Sequence, residues 1–403
     1  MGNPVATLPP PQFLTDSDGL DPNAVLADMI AEFEQISGRT LYPAQVERLL
    51  VSLYAYRESL LRNAIQYAGQ QNLLAFAVYP LLDYIGQAMD TPRLGAVGAL
   101  TTLQFVLTAA QTQSYTISAG TQVGTQDGQF VFITLADLTI SAGATSGQVS
   151  AQCTTPGTAG NGYVPGQVSV LVVANPLISS VSNTSTTADG TDAEEDDAYR
   201  ERIQLAPNQF STAGPTGAYE YFARSASTAV IDANVVSPAP GQVAVYILAG
   251  PITAQPAASP NTTGIASAAL ISTVQSALSS TTVRPLCDTV TVYAVTEVDY
   301  TITATVTLYA DADQTSTEAA ASTAAADLAL ILASRIQRNL VPSQWEAALS
   351  VAGVYDVDIS IAATVTGGSA ITPQADGSIV LATGQWANCT ALNITFEIGT
   401  EYS

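Results

Sequence analysis

Between residues 21 and 90 the apolar side chains recur every three or four positions, and from residue 100 onward they recur every second one. That change of period constrains the fold more than any other feature. A helix collects positions i, i+3 and i+4 on one face, whereas a strand alternates its faces. Asp21 reads as an N-cap with Pro22 at the first helical position, and Val25, Leu26, Met29, Ile30 and Phe33 form one stripe that Gly38 ends. A second, longer helix starts near Pro43, with Val46, Leu49, Leu53, Tyr56, Leu60, Ala64 and Tyr67 close to a heptad seam. Its pattern continues through Leu73, Leu74, Phe76 and Ala77 to Pro80, and a short helix from Leu81 closes at Pro92. A helix with apolar positions on more than one side needs partners, from its own domain or from another subunit. Ahead of these helices, Pro4, Pro9, Pro10 and Pro11 predict an extended arm, disordered or laid along a neighbouring subunit, with the second favoured.

Residues 100–182 read as antiparallel strands, a small sandwich or barrel-like unit: Leu103, Phe105 and Leu107 alternate, and Thr, Val, Phe and Ile runs are broken by Gly. The run Gly157 to Gly162 resembles a phosphate loop only superficially. No helix-forming run follows it, so it reads as a turn cluster. From 218 helices and strands mix: a helix 218–228, strands 231–236 and 242–248, a helix Thr262 to Ser279, and a strand Thr289 to Val295. Residues 342–382 repeat the order helix, strand, Gly turn, strand, behind an alanine-rich helix Thr317 to Asn339, which suggests a duplication. Asp311, Asp313 and Thr315 are spaced like the start of a calcium loop, but Gly and Glu are missing where that loop needs them, so Thr315 or Thr317 reads as a helix cap. The run Ala391 to Ile398 alternates as a final strand, its apolar face Leu392, Ile394, Phe396 and Ile398.

The 403 residues carry a formal charge of −23, no histidine, and eleven basic residues that are all arginine. Histidine-based triads, histidine metal ligands and lysine Schiff bases are therefore excluded. The charge argues against phosphate-backbone binding, and so against a nucleic-acid partner. Cys153, Cys287 and Cys389 are far apart and read as reduced thiols. No stretch is long and apolar enough to span a membrane, and Met1 to Leu14 lack the charge pattern of a signal peptide. Asn183, Asn261, Asn388 and Asn393 stand in Asn-x-Ser/Thr triplets, which a Thr-rich composition produces by itself.

The most distinctive stretch is 187–248. An acidic cluster (Asp192, Glu194, Glu195, Asp196, Asp197) runs into Tyr199-Arg200-Glu201-Arg202, and Ala213-Gly214-Pro215-Thr216-Gly217-Ala218-Tyr219 follows. Next come Ile231 to Val236 and the strand Pro240-Gly241-Gln242-Val243-Ala244-Val245. Carboxylates suit the positive end of a helix, and the arginines can pair with them one turn on, so the cluster reads as a charged helix entry and not a metal site. This order of parts, with Arg284-Pro285-Leu286 before an Asp-x-Val-x-Val strand, resembles the J-like baseplate wedge proteins of contractile phage tails.

The expected fold is a multidomain α+β chain: an arm at 1–20, a helical wedge-core segment at 21–95 and a β-rich domain at 96–186, then two α+β modules at 187–300 and 301–403. The resemblance implies a non-enzymatic role, with no cofactor or metal and no catalytic residue. It implies a structural wedge that rings the tail hub and relays the trigger for sheath contraction, sited in the virion baseplate and assembled in the host cytoplasm. The implied partners are a second copy of the chain, a six-fold ring, and other wedge, sheath-initiator and hub proteins. Expected interface residues are Val46, Leu49, Leu53, Tyr56, Leu60 and Tyr67 on the long helix, with Leu392, Ile394 and Phe396 on the last strand. Two other classes remain: an acidic surface-layer or adhesin-type protein, which predicts a secretion signal, and a glycan-cleaving tail enzyme using paired carboxylates such as Glu194 and Asp197.

Overall fold

Helix α1 (Pro22–Ser37) opens where the Asp21 carboxylate accepts the Asn23 N–H, and it ends at Gly38, whose φ of 64° lets its N–H reach the Glu34 carbonyl. The computed structural model describes residues 8–14, 21–211, 214–280, 283–285 and 287–400. Ala213 and Leu286 of the family-like motifs, and residues 1–7 and 15–20 of the expected arm, lie outside them. The chain divides into two compact units, one of residues 1–93 with 195–204 and one of residues 94–194 with 205–403.

In the first unit α1 packs along α2 (Val46–Gln70), and α3 (Leu81–Ala88) follows. The second helix is shorter than its pattern predicts. Past Gln70 the Gln71 side chain accepts the Val78 N–H and donates to the Phe76 carbonyl, holding a turn where a helix was expected. Described arm residues lie along this chain's own α2. The Gln66 amide accepts the N–H groups of Phe13 and Leu14 and donates to the Pro11 carbonyl. Helix α4 (Asp196–Leu205) completes the unit, with Tyr199 and Ile203 packing against Ala77 and Leu82. The acidic-Tyr-Arg run thus joins the N-terminal helices, whereas the sequence reading placed it with the following α+β module.

The second unit begins with a barrel of β1 (Leu100–Leu107), β2 (Tyr115–Ile117), β3 (Gln122–Thr125), β4 (Val131–Thr134), β5 (Leu138–Ile140), β6 (Ser146–Cys153), β7 (Val168–Leu171) and β8 (Ile178–Asn183). Six strands pair in the order β7-β3-β4-β6-β1-β8, and β2 pairs with β5. Asn183 ties the two end strands together: its Oδ1 accepts the Val168 N–H, its backbone carbonyl accepts the Gly166 N–H, and its Nδ2 donates to the carbonyls of Tyr163, Val164 and Ser185. The interior is filled by the inward face of the alternation, including Leu103, Phe105, Val123 and Phe132.

Next come α5 (Thr216–Ala226), β9 (Val230–Ala239), β10 (Gln242–Ala249), α6 (Ala268–Leu278) and β11 (Thr289–Ala294). Strand β10 is central, antiparallel to β9 and parallel to β11. Helix α6 starts six residues later than predicted because the Ser267 side chain caps it at the Leu270 N–H. The last domain holds β12 (Thr296–Leu308), α7 (Gln314–Ala333), α8 (Pro342–Leu349), β13 (Val354–Val365), β14 (Ala370–Ile371) and β15 (Gln385–Ile398). Here β12 is central, antiparallel to β13 and parallel to β15. Ala321, Ala325 and Ala329 on α7 are buried against this sheet, where small side chains at i, i+4 spacing let the helix lie close. Asp313, and not Thr315 or Thr317, caps that helix at the Ser316 N–H.

The expected duplication is only partial. Both sheets have a central strand with one parallel and one antiparallel neighbour, but the chain visits them in different orders, and Ile379 makes an isolated bridge to Leu340 in place of a second hairpin strand. Strand β12 runs across the expected boundary at 300/301. The two sheets also share a core of Leu248, Val295, Ala333, Ile336 and Trp386, with the Trp386 Nε1 donating to the Ala333 carbonyl at 2.7 Å.

Candidate interaction surfaces

Helix α2 turns its small residues inward and its large ones outward. Ala55 and Ser59 are its buried positions, while all six predicted residues are exposed, from 50% at Leu60 to 69% at Val46. Leu50, Tyr54, Leu61 and Ile65 extend the same exposed band, a set missed by a strict heptad reading because the band is wider than a seam. A helix of 25 residues is about 37 Å long at 1.5 Å per residue, so this is a large apolar surface for one chain to leave in water. Arg57, also exposed, interrupts it near the midpoint.

The strand residues stand differently. Leu392, Ile394 and Phe396 are half-buried against their own domain's core, and Ile398 beyond them is 61% exposed. On its other side β15 has no strand neighbour among the described residues, so it is an edge of its sheet.

From Asp196 on, the acidic motif is built into the helical unit. Asp196 accepts the Tyr79 N–H at 3.1 Å and pairs with Arg93 at 2.7 Å, and Arg93 also pairs with Asp83 at 2.7 Å. Burial alone would raise the Asp196 carboxyl, but the Tyr79 N–H and Arg93 outweigh it and hold the group below the ordinary range. Arg200 donates to the carbonyls of Leu74 and Ala77 and pairs with Asp197 one turn back, while Arg202 donates to the Pro92 carbonyl. Tyr199 donates its hydroxyl to the Thr91 carbonyl at 2.7 Å, with the Arg93 guanidinium 4.5 Å from its ring centre. Glu194 links segments far apart in sequence: its carboxylate accepts the Leu94 N–H, and its own N–H donates to the Leu94 carbonyl. Among the described residues no group of three or more Cys, Asp or Glu is arranged to hold a metal ion. The Gly157 to Gly162 turn is occupied from within, since the Asp192 carboxylate accepts the Thr158 N–H and hydroxyl.

These parts define a class: a multidomain α+β chain with an exposed apolar helix face and an open strand edge. Matches to known proteins specify it. Residues 102–190 match the Baseplate J-like protein barrel domain, 211–294 the Baseplate J-like central domain, and 300–395 the Baseplate J-like protein C-terminal domain. The chain belongs to the Baseplate J-like family. Baseplate protein J of Escherichia phage P2 is 35% identical over 201 residues, which span 50% of this chain and 59% of that protein. In a cryo-EM structure of the anti-feeding prophage baseplate, 6-fold symmetrised, one chain aligns over 90% of this chain and 89% of its own length, at 12% identity and a TM-score of 0.41.

Proposed function

We propose that this chain is a wedge subunit of a contractile-tail baseplate, with copies pairing within wedges and six wedges closing a ring around the tail hub. In this reading it is assembled in the host cytoplasm, ends in the virion, and meets other wedge, sheath-initiator and hub proteins. Ring rearrangement then relays the trigger for sheath contraction through interfaces that repack between two states. The helices to residue 93, with 195–204, form the wedge core; the barrel at 94–194 and the two α+β domains beyond 205 build the body.

The observation that carries the reading is the uncovered face of α2. Val46, Leu49, Leu53, Tyr56, Leu60 and Tyr67 are the proposed interface, with Leu392, Ile394 and Phe396 contributing where the β15 edge meets a neighbouring wedge. Arg57 sets a condition on the α2 partner. A guanidinium covered by an apolar contact needs a carboxylate opposite it, so the partner helix carries an acid near the middle of its own stripe.

The test is co-purification of the full chain with its tail partners. Leu53→Asp and Leu60→Asp change exposed residues, so the subunit should fold normally and lose wedge formation. Normal recovery of wedges with both variants would exclude this face as the interface.

A further inference from the structure

The segment 250–264, between β10 and α6, lies against the first residues of β12 and β15: the Ala257 N–H donates to the Cys389 carbonyl, and the Asn261 N–H to Glu297 Oε1 at 2.8 Å. Four polar side chains are buried where they meet, Gln255, Asn261, Glu297 and Asn388, none more than 7% exposed. They form one connected network. Gln255 Nε2 and Asn261 Nδ2 both donate to Asn388 Oδ1, at 3.2 and 3.1 Å, and Asn388 Nδ2 donates to Asp299 Oδ1 at 3.2 Å. Asp299 also accepts the hydroxyls of Ser259 and Thr366 at Oδ2.

Two buried acceptors in this network, Glu297 Oε2 and Gln255 Oε1, have no donor at hydrogen-bonding geometry, although the Thr366 hydroxyl and the Asn388 amide lie near enough to favour the Glu297 carboxylate. A buried acceptor without a donor keeps its full desolvation penalty, a buried carboxylate most of all, so native structures rarely leave one. The charge points the same way. The charged group that acts on Glu297 is Asp299, a second carboxylate, and no arginine takes part in the network among the described residues. Unpaired oxygens, excess negative charge and no basic side chain are together the complement of a positive ion.

We propose that this buried network binds one hard, oxygen-seeking cation, calcium foremost, with Glu297 Oε2 and Gln255 Oε1 as side-chain ligands and Asp299 adding charge beside them. The donors are all oxygen, which favours calcium over metals that seek nitrogen or sulfur. One carboxylate and one amide leave the remaining positions to water and backbone carbonyls, an incomplete cage that calcium tolerates better than magnesium does. The ion would fasten the 250–264 segment of the central domain to the first turns of the C-terminal sheet. The site is thus a clasp between two domains, independent of what the α2 face contacts.

The full chain, stripped with chelator and dialysed, is titrated with calcium chloride by calorimetry at neutral pH, with magnesium and sodium as controls. Its melting is followed by tryptophan fluorescence, since Trp386 is buried in the core that joins the same two domains. One equivalent of calcium should bind and raise the melting temperature. Glu297→Gln keeps the shape, removes the charge and should abolish both effects; Gln255→Glu adds a charge and should tighten binding at least tenfold. Three results would overturn the site: no calcium response at millimolar concentration, an equal response in Glu297→Gln, or a Glu297→Gln protein more stable than wild type with calcium inert in both. The second would mean ions adsorbed on an acidic surface, and the third a proton on Glu297 in place of a metal.

Discussion

Replacing Gly86 by alanine should destabilise the helical unit, although inside most helices this change stabilises by about 0.5–1 kcal/mol. A Cβ at Gly86 would lie 1.9 Å from the Tyr199 hydroxyl oxygen, 2.6 Å from its Cζ and 2.8 Å from the Thr91 carbonyl oxygen. None of these can yield cheaply. Tyr199 is fully buried, and its hydroxyl is committed to that same carbonyl at 2.7 Å. Moving the ring breaks a buried hydrogen bond, about 1–3 kcal/mol, and strains the packing by about 1–3 kcal/mol more. After the helix-propensity gain the net is a loss of about 3 kcal/mol. Urea unfolding should be followed by far-UV circular dichroism and by tryptophan fluorescence in parallel. Trp345 and Trp386 both lie in the second unit, so the dichroism should lose an early helical fraction while the fluorescence transition keeps its midpoint. A neutral or stabilised dichroism curve would refute the reasoning, because the ring would then have somewhere to go.

Asp196→Asn tests the charged helix entry. The folded carboxyl lies below its ordinary value of 3.8, so it stabilises above that pH and the benefit is lost as pH falls through the folded value. The variant should be less stable than wild type by on the order of 1 kcal/mol at pH 7, with the gap closing at pH 3 in urea titrations; a gap that persists at low pH would contradict this. Gly69→Leu tests the arm, because a Cβ there would come 2.5 Å from the Phe13 ring. Chymotrypsin should cut at Phe13 several times faster in the variant with helix content unchanged, and an unaltered rate would show that the arm is held elsewhere.

The parts of this architecture that depend on neighbouring residues were legible in the sequence. Asp21, Pro22 and Gly38 mark both ends of α1 because capping is chemistry of the nearest turn. The alternation of Leu103, Phe105 and Leu107 likewise marks which face of β1 is buried. What remained hidden was partnership over long separations. Nothing near Tyr199 says that it packs on helices more than a hundred residues earlier, and nothing near Trp386 says that it meets Gly264. The asparagines are the plainest case. Asn183, Asn261 and Asn388 read as a by-product of composition, yet all three are buried, one joining the end strands of the barrel and two organising a polar network between domains. Outward faces were legible as pattern: the helical spacing on α2 is visible, but only the packing shows that α1 takes the Ala55 and Ser59 side and leaves the large residues uncovered.

The first unit is discontinuous, and that orders events on the ribosome. Residues 21–93 can form their helices as they emerge, but the Tyr199 and Ile203 that fill the space against Ala77 and Leu82 are made only after the whole barrel has been translated. At about 5–20 residues per second the delay between Arg93 and Glu195 is roughly 5–20 s, long beside the microseconds to seconds in which small domains fold. The barrel therefore has time to close before the helical unit can be completed. Its closure brings Leu94 and Glu194 together. Completion of the helices thus waits on synthesis of the domain that lies between their two segments in sequence.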